Sequence, residues 1–259
     1  MSLLRPRNVL VALLLALPLA AHAQKAGQPA ESVTQRLDPT DFKSRFETRY
    51  EYQDLQSGGA RQLLVPRYEH AFSKAFALRF EVPYLVDDPP GVDDESGIGD
   101  ILIRPALRLY RGERFAVVAA AEITFDTARD DRLGTGKNVV APLVFASFDV
   151  PRLNSVVFPF AQQSVSVSGD DDRSDINTSL FRVGVLSRWP NRFYTFLEPS
   201  LYIDWERDEK TGFTLELEVG RLLNRQLAIW GRPGVGLWGD NLPYIYDWNF
   251  EIGFRYFLD

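Results

Sequence analysis

Residues 42–53 read FKSRFETRYEYQ. Phe42, Ser44, Phe46, Thr48, Tyr50 and Tyr52 occupy one phase, and Lys43, Arg45, Glu47, Arg49, Glu51 and Gln53 the other. A period of two marks an extended strand, because successive side chains point to opposite faces. One face here is largely aromatic; the other is charged or amide-bearing throughout.

The rhythm recurs along the chain. RQLLVPRYEHAF (61–72) sets Leu64, Pro66, Tyr68 and Phe72 against Arg67 and Glu69, and AFALRFEVPYLV (75–86) sets Phe76, Leu78, Phe80, Val82 and Tyr84 against Arg79 and Glu81. GDILIRPALRLY (99–110), FAVVAAAEITFD (115–126), SLFRVGVLSRW (179–189), FYTFLEPSLYIDWE (193–206), FTLELEVG (213–220) and YDWNFEIGFRYFLD (246–259) follow suit. In LAIWGRPGVGLW (227–238) Trp230 breaks the contrast. Val139–Val150 is apolar at both phases, and 156–168 changes phase near Gln162 and Gln163, where a bulge is expected. The reading yields twelve strands and no helix after the N-terminal stretch.

Several strands reach ten residues or more, the length of a tilted bilayer crossing. Their connections alternate between short turns, such as Ser73-Lys74 and Pro190-Asn191, and long polar loops, such as DDPPGVDDESG (87–97) and SGDDDRSDINT (168–178). A soluble sandwich also alternates, with its polar face in water. Strand length, loop asymmetry and aromatics near strand ends argue instead for a lipid-facing apolar wall and a charged lumen. Phe42, Tyr52, Tyr68, Phe72, Tyr84, Phe115, Phe125, Trp189, Phe193, Trp205, Tyr246 and Tyr256 are the expected girdles. The fold expected is an all-β, closed, antiparallel, up-and-down transmembrane β-barrel of about 12 strands.

The N-terminus reads as an export signal: Arg5 and Arg7, an apolar run from Val9 to Leu19, then Ala21-His22-Ala23. About a dozen apolar residues fall short of the roughly 20 that a spanning helix needs. Residues 1–23 are therefore expected to be a cleaved signal peptide, 24–41 a periplasmic N-terminal segment and 42–259 the outer-membrane barrel of a Gram-negative bacterium. Segment 24–41, polar and unpatterned, reads as a disordered tail or as a plug in the lumen. Removing 1–23 takes two of 29 Lys and Arg and none of 35 Asp and Glu, so the net charge becomes 27 − 35 = −8. That balance argues against a nucleic-acid partner. There is no cysteine, and a closed sheet needs no disulfide. The partners expected are outer-membrane lipid and lipopolysaccharide, the barrel-assembly machinery, and a small-molecule solute.

Two stretches, SGIGDILIRPALRLY (96–110) and ITFDTARDDRLGTGKNVVAPLVFASF (123–148), resemble the outer-membrane transporter-like family named after the meta-pathway of phenol degradation. Its motif residues correspond to Gly97, Gly99 and Asp100 and to Gly134, Thr135 and Gly136; in place of the family's Pro-Thr-Gly this chain has Asp126-Thr127-Ala128. The resemblance implies a porin-like barrel for uptake of small aromatic or hydrophobic compounds.

Neither glycine motif reads as a phosphate loop, because strands rather than helices follow them. Asp170-Asp171-Asp172 and Asp93-Asp94-Glu95 lack the spacing of a dedicated calcium loop, and no metal or cofactor is expected. His22 leaves with the signal, and His70 has no nucleophile motif beside it, so the protein is expected not to be an enzyme. The charged phase is the candidate site. Lys43, Arg45, Arg49, Arg67, Arg79, Arg104 and Arg108 make the first four strands basic; Glu198, Asp204, Glu206, Glu216, Glu218, Asp247 and Glu251 make the last four acidic. These charges form either a transverse field that sets selectivity or an ion-pair network that fills the lumen. The expected function is passive or weakly selective passage of small solutes, without covalent chemistry. The alternative is a closed structural or surface-binding barrel with acidic extracellular loops.

Overall fold

A computed structural model describes residues 33–239 and 242–258; residues 1–32, with the expected signal peptide, lie outside them. A short helix, α1 (Val33–Leu37), precedes β1 (Arg45–Leu55), β2 (Ala60–Ala71), β3 (Phe76–Glu81 and Tyr84–Asp88), β4 (Glu95–Ile98 and Ile101–Arg111), β5 (Phe115–Phe125), β6 (Lys137–Val150), β7 (Ser155–Gly169), β8 (Asn177–Arg188), β9 (Phe193–Asp204), β10 (Lys210–Leu222), β11 (Leu227–Trp238) and β12 (Tyr246–Phe257). Both halves of β3 pair with β2, and the halves of β4 pair with the matching halves of β3. The break in β3 falls at Val82-Pro83, where proline has no N–H for the ladder. That in β4 falls at Gly99-Asp100.

Every neighbour is antiparallel, and β1 pairs with both β2 and β12, so the sheet closes into a 12-strand up-and-down barrel. Closure removes the free edge whose unpaired backbone groups could not be satisfied in lipid. The β1–β12 register runs from Arg45 opposite Phe257 to Gln53 opposite Asn249. Apolar side chains such as Phe80, Leu107, Phe181, Leu197 and Ile252 are exposed around the outer wall, while Glu47, Glu69, Arg79 and Glu218 are buried within. Polar inside and apolar outside is the membrane-barrel pattern.

Three expectations about phase are corrected. Phe42 lies before β1, and instead of joining a girdle it packs inside on Ala77, Val118, Leu143 and Phe145. The irregularity of β7 is not at Gln162 and Gln163; the ladder slips at Asn138–Val139, opposite Ser166 to Ser168. A further slip opposite Asp54–Leu55 turns Tyr246 into the lumen and leaves Asp247 exposed, the reverse of their expected faces.

Both described ends of the chain meet at the short-turn end, where the Leu258 N–H donates to the Ser44 carbonyl at 2.9 Å. Long loops gather at the other end, except between β1 and β2. There Gly58 and Gly59 turn the chain at φ +77° and +88°, a left-handed conformation that glycine adopts without cost.

Candidate functional site in the barrel lumen

The antiparallel register places charges of opposite sign side by side. Glu47 stands opposite Arg67, which stands opposite Glu81; Glu69 stands opposite Arg79. Arg67 pairs with Glu47 at 2.9 Å and Glu81 at 2.7 Å, and Arg79 with Glu69 at 2.9 Å. At the β12–β1 closure Arg255 bridges Glu218 and its register partner Glu47, while Arg232 bridges Glu218 and Glu216. The expected division into a basic half and an acidic half is thereby corrected. Glu47, Glu51, Glu69 and Glu81 sit among the basic residues, and Arg182, Arg232 and Arg255 among the acidic ones. Their signal was in the sequence, since each shares the charged phase of its strand. Because a buried charge is tolerable only when paired, interleaving is the arrangement a narrow lumen permits.

The wall opposite β1–β4 is different. Phe145 on β6, Phe158 and Phe160 on β7, Phe196 on β9 and Trp230 on β11 all face inward. The doubly apolar reading of β6 has its explanation here, because that strand meets lipid on one face and an aromatic lumen on the other. Small residues make room for this wall: a Cβ on Gly253 would lie 2.6 Å from the Trp230 ring, and one on Gly220 would run into Tyr194.

Chain segments narrow both ends. At the short-turn end Thr40 donates to Asp38 at 2.6 Å and meets the Ser147 hydroxyl at 3.0 Å. Arg108 donates to the Thr40 carbonyl at 3.1 Å, and Arg111 to Thr40 Oγ1 at 3.1 Å. Val33 and Leu37 of α1 pack on Val156, Phe158, Leu186, Tyr194 and Trp230. Residues 33–41 thus occupy the lumen end as a plug, correcting the disordered-tail reading for those residues.

At the long-loop end, the stretch before β12 turns inward, burying Leu242 and Ile245. Tyr244 stacks on Tyr202 with centroids 4.8 Å apart and donates to Asp204 at 3.1 Å. Between these closures lies a chamber of about 630 Å³, lined by Pro39 at one end and by Pro243 and Tyr244 at the other.

Of the expected lumen residues, Arg49, Arg67, Arg79, Arg104, Glu198, Glu216 and Glu251 line this chamber. Arg45 and Glu218 line a smaller cavity of about 120 Å³ next to Leu37. Arg108 is engaged by the plug, Asp204 holds Tyr244 and Arg207 at the rim, and Asp247 lies outside the lumen. His70 is on the outer face beside Phe72 and bonds with the Tyr68 hydroxyl at 3.1 Å.

The two glycine motifs meet. The Asp100 carboxylate accepts from the backbone N–H groups of Thr127, Ala128 and Thr135 and from the Thr135 hydroxyl, at 2.8 to 3.1 Å. Gly134 packs against that carboxylate, where a Cβ would come within 2.6 Å of it. Residues 64–146, which contain both motifs, match the family model described as "Putative MetA-pathway of phenol degradation". That segment match is to the family whose resemblance the two motifs carry. Its segment covers most of β2 to most of β6, while the plug and β7 to β12 lie beyond it. No curated protein sequence matches the chain. Among solved structures, an outer membrane channel from Pseudomonas putida F1 is 12% identical, with a TM-score of 0.68 over 85% of this chain and 99% of that one. The NanC porin is 10% identical, with a TM-score of 0.61 over 82% and 98%. The KdgM porin is 11% identical, with a TM-score of 0.56 over 82% and 98%. At such identities the likeness is one of fold: a porin-like barrel.

Proposed function

We propose that this protein is a narrow outer-membrane channel for small solutes, with passage set by the lumen chamber and no covalent chemistry. The observation that carries the reading is the chamber itself, about 630 Å³ between a charged wall and an aromatic wall. Such a wall suits compounds with an apolar body and one polar group, and the family's description points the same way. A general pore would have a wider, wetter lumen. In this reading the short-turn end faces the periplasm, the habit of outer-membrane barrels, and residues 33–41 meter traffic there.

Conductance of the refolded mature protein in a planar bilayer tests it. Small stepwise currents that grow when Thr40 and Arg111 are replaced by alanine are the expected result. Silence from a protein shown to be folded, in both forms, overturns the channel reading in favour of a closed surface-binding barrel.

A further inference from the structure

The ion pairs of the lumen differ in length. Some are short, as in Arg67 with Glu81 at 2.7 Å, Arg79 with Glu69 at 2.9 Å and Arg232 with Glu216 at 3.2 Å. Three other arginines of the chamber pair at longer range. Arg104 reaches Glu69 and Glu122 at 3.4 and 3.6 Å, Arg49 reaches only 3.8 to 4.0 Å, and Arg182 meets Glu198 at 3.6 Å. The Nε of each of these three arginines donates to no protein acceptor.

The surplus has a chemical cause. A guanidinium carries five N–H groups, whereas a carboxylate has about four acceptor positions. Several of those positions are already taken: Gln53 and Asn249 donate to Glu51, Tyr246 and Asn249 to Glu216, and Gln162 to Glu122. Arginine Nε donors therefore stay unused in the chamber, among the described residues, although its formal charges roughly cancel. Arg182 also bonds with the Tyr202 hydroxyl, yet it is the most open of these arginines, its side chain 32% exposed, and its guanidinium lies 5.3 Å from the centroid of the Phe160 ring. Phe145 stacks beside Phe160 with centroids 6.5 Å apart. A planar fork of donors beside aromatic faces is the complement of a planar acid on an aromatic ring.

We infer that the chamber holds a binding site for a small aromatic carboxylate, its acid group on Arg182 and its ring against Phe160. This rests on the channel reading for its role in transport, but the site is separately measurable. The rival is an aromatic cation, because Glu251 Oε2 and Asn249 Oδ1, across the lumen, are acceptors without a donor.

Calorimetric titration of the refolded mature protein in detergent with benzoate, benzamide and benzylamine decides between them. Benzoate is expected to bind at least about tenfold more tightly than the neutral amide or the amine, since hydrogen bonds between charged partners are the stronger ones. Arg182→Gln should weaken benzoate about tenfold, Arg182→Lys less, and Phe160→Leu should also weaken it. Equal affinity for benzoate and benzamide overturns the proposal, as does tighter binding of benzylamine or an Arg182→Gln protein that binds as before. The ligand series needs no variant, so a misfolded Arg182→Gln leaves the test intact. Conductance without benzoate binding overturns the site alone; benzoate binding by a silent barrel supports the site and overturns the channel.

Discussion

Asp100 accepts two hydrogen bonds from Thr135, one from its backbone N–H at 2.8 Å and one from its hydroxyl at 3.1 Å. Two motifs far apart in sequence are thus one structural unit: Asp100 breaks strand β4, and loop 126–136 hangs on its carboxylate. Asp100→Ala strips four donors of their acceptor. It is expected to free that loop, giving faster tryptic cleavage after Arg129 and Arg132 with the barrel still folded. Thr135→Val should do part of the same, and the two changes together should fall short of additive, because they remove one interaction.

The Arg255 guanidinium is held by Glu218 at 2.6 Å, by Glu47 and by the Tyr194 hydroxyl. Removing it leaves Glu47 to Arg67 alone and Glu218 to Arg232 alone, with buried carboxylate oxygens short of donors. Arg255→Met is expected to destabilise the barrel by about 1–3 kcal/mol. Arg132→Met, at a more open pair with Glu95, should cost about 1 kcal/mol or less. Urea titration of the folded band on a heat-modifiability gel compares the two directly.

Gly220 faces the Tyr194 ring, whereas at Gly231 the nearest atom to an added Cβ is 3.6 Å away. Gly220→Ala should therefore overpack the lumen and cost about 1–3 kcal/mol, while Gly231→Ala should be tolerated. Equal midpoints for the two variants in the same urea series would contradict this packing.

The plug is expected to loosen in acid. Burial opposes ionisation of Asp41, but the bond from Lys43 and the charges of Arg111 and Arg108 outweigh it and hold its carboxyl below the ordinary value of 3.8. A depressed carboxylate stabilises the seated form fully above its ordinary value, and that support is lost as pH falls through the lowered one. Conductance should be flat from neutral pH to about 5 and rise on further acidification. In Asp41→Asn the seat is already weakened, so its conductance should be higher at neutral pH and the acid rise smaller.

Much of this was legible in the amino-acid order. The stretch 45–53 alternates so strictly because β1 has charges on its lumen face and apolar side chains on its outer face, whereas Phe42, before the strand, keeps the rhythm but packs inside. The same contrast locates β2 to β5 and β8 to β10. Where the contrast fails, the failure carried meaning. Val139 to Val150 is apolar at both phases because Phe145 and its neighbours face an aromatic lumen, which alternation alone cannot distinguish from lipid. Alternation puts Tyr246 and Asp247 on the wrong faces because a one-residue slip reverses every side chain beyond it, and the slip is a property of the pairing.

The amino-acid order by itself determined that the chain would build long strands with an apolar face and a charged face. It also determined which turns would be short and which family segment would appear, because a two-residue period, glycine turns and motif spacings are local. Tertiary structure alone decided which charges pair, that residues 33–41 enter the lumen, and that Tyr244 folds in to meet Asp204. Those outcomes depend on register and barrel closure. Both bring together residues as distant as Glu47 and Arg255, through hydrogen-bonded neighbours that no local pattern encodes.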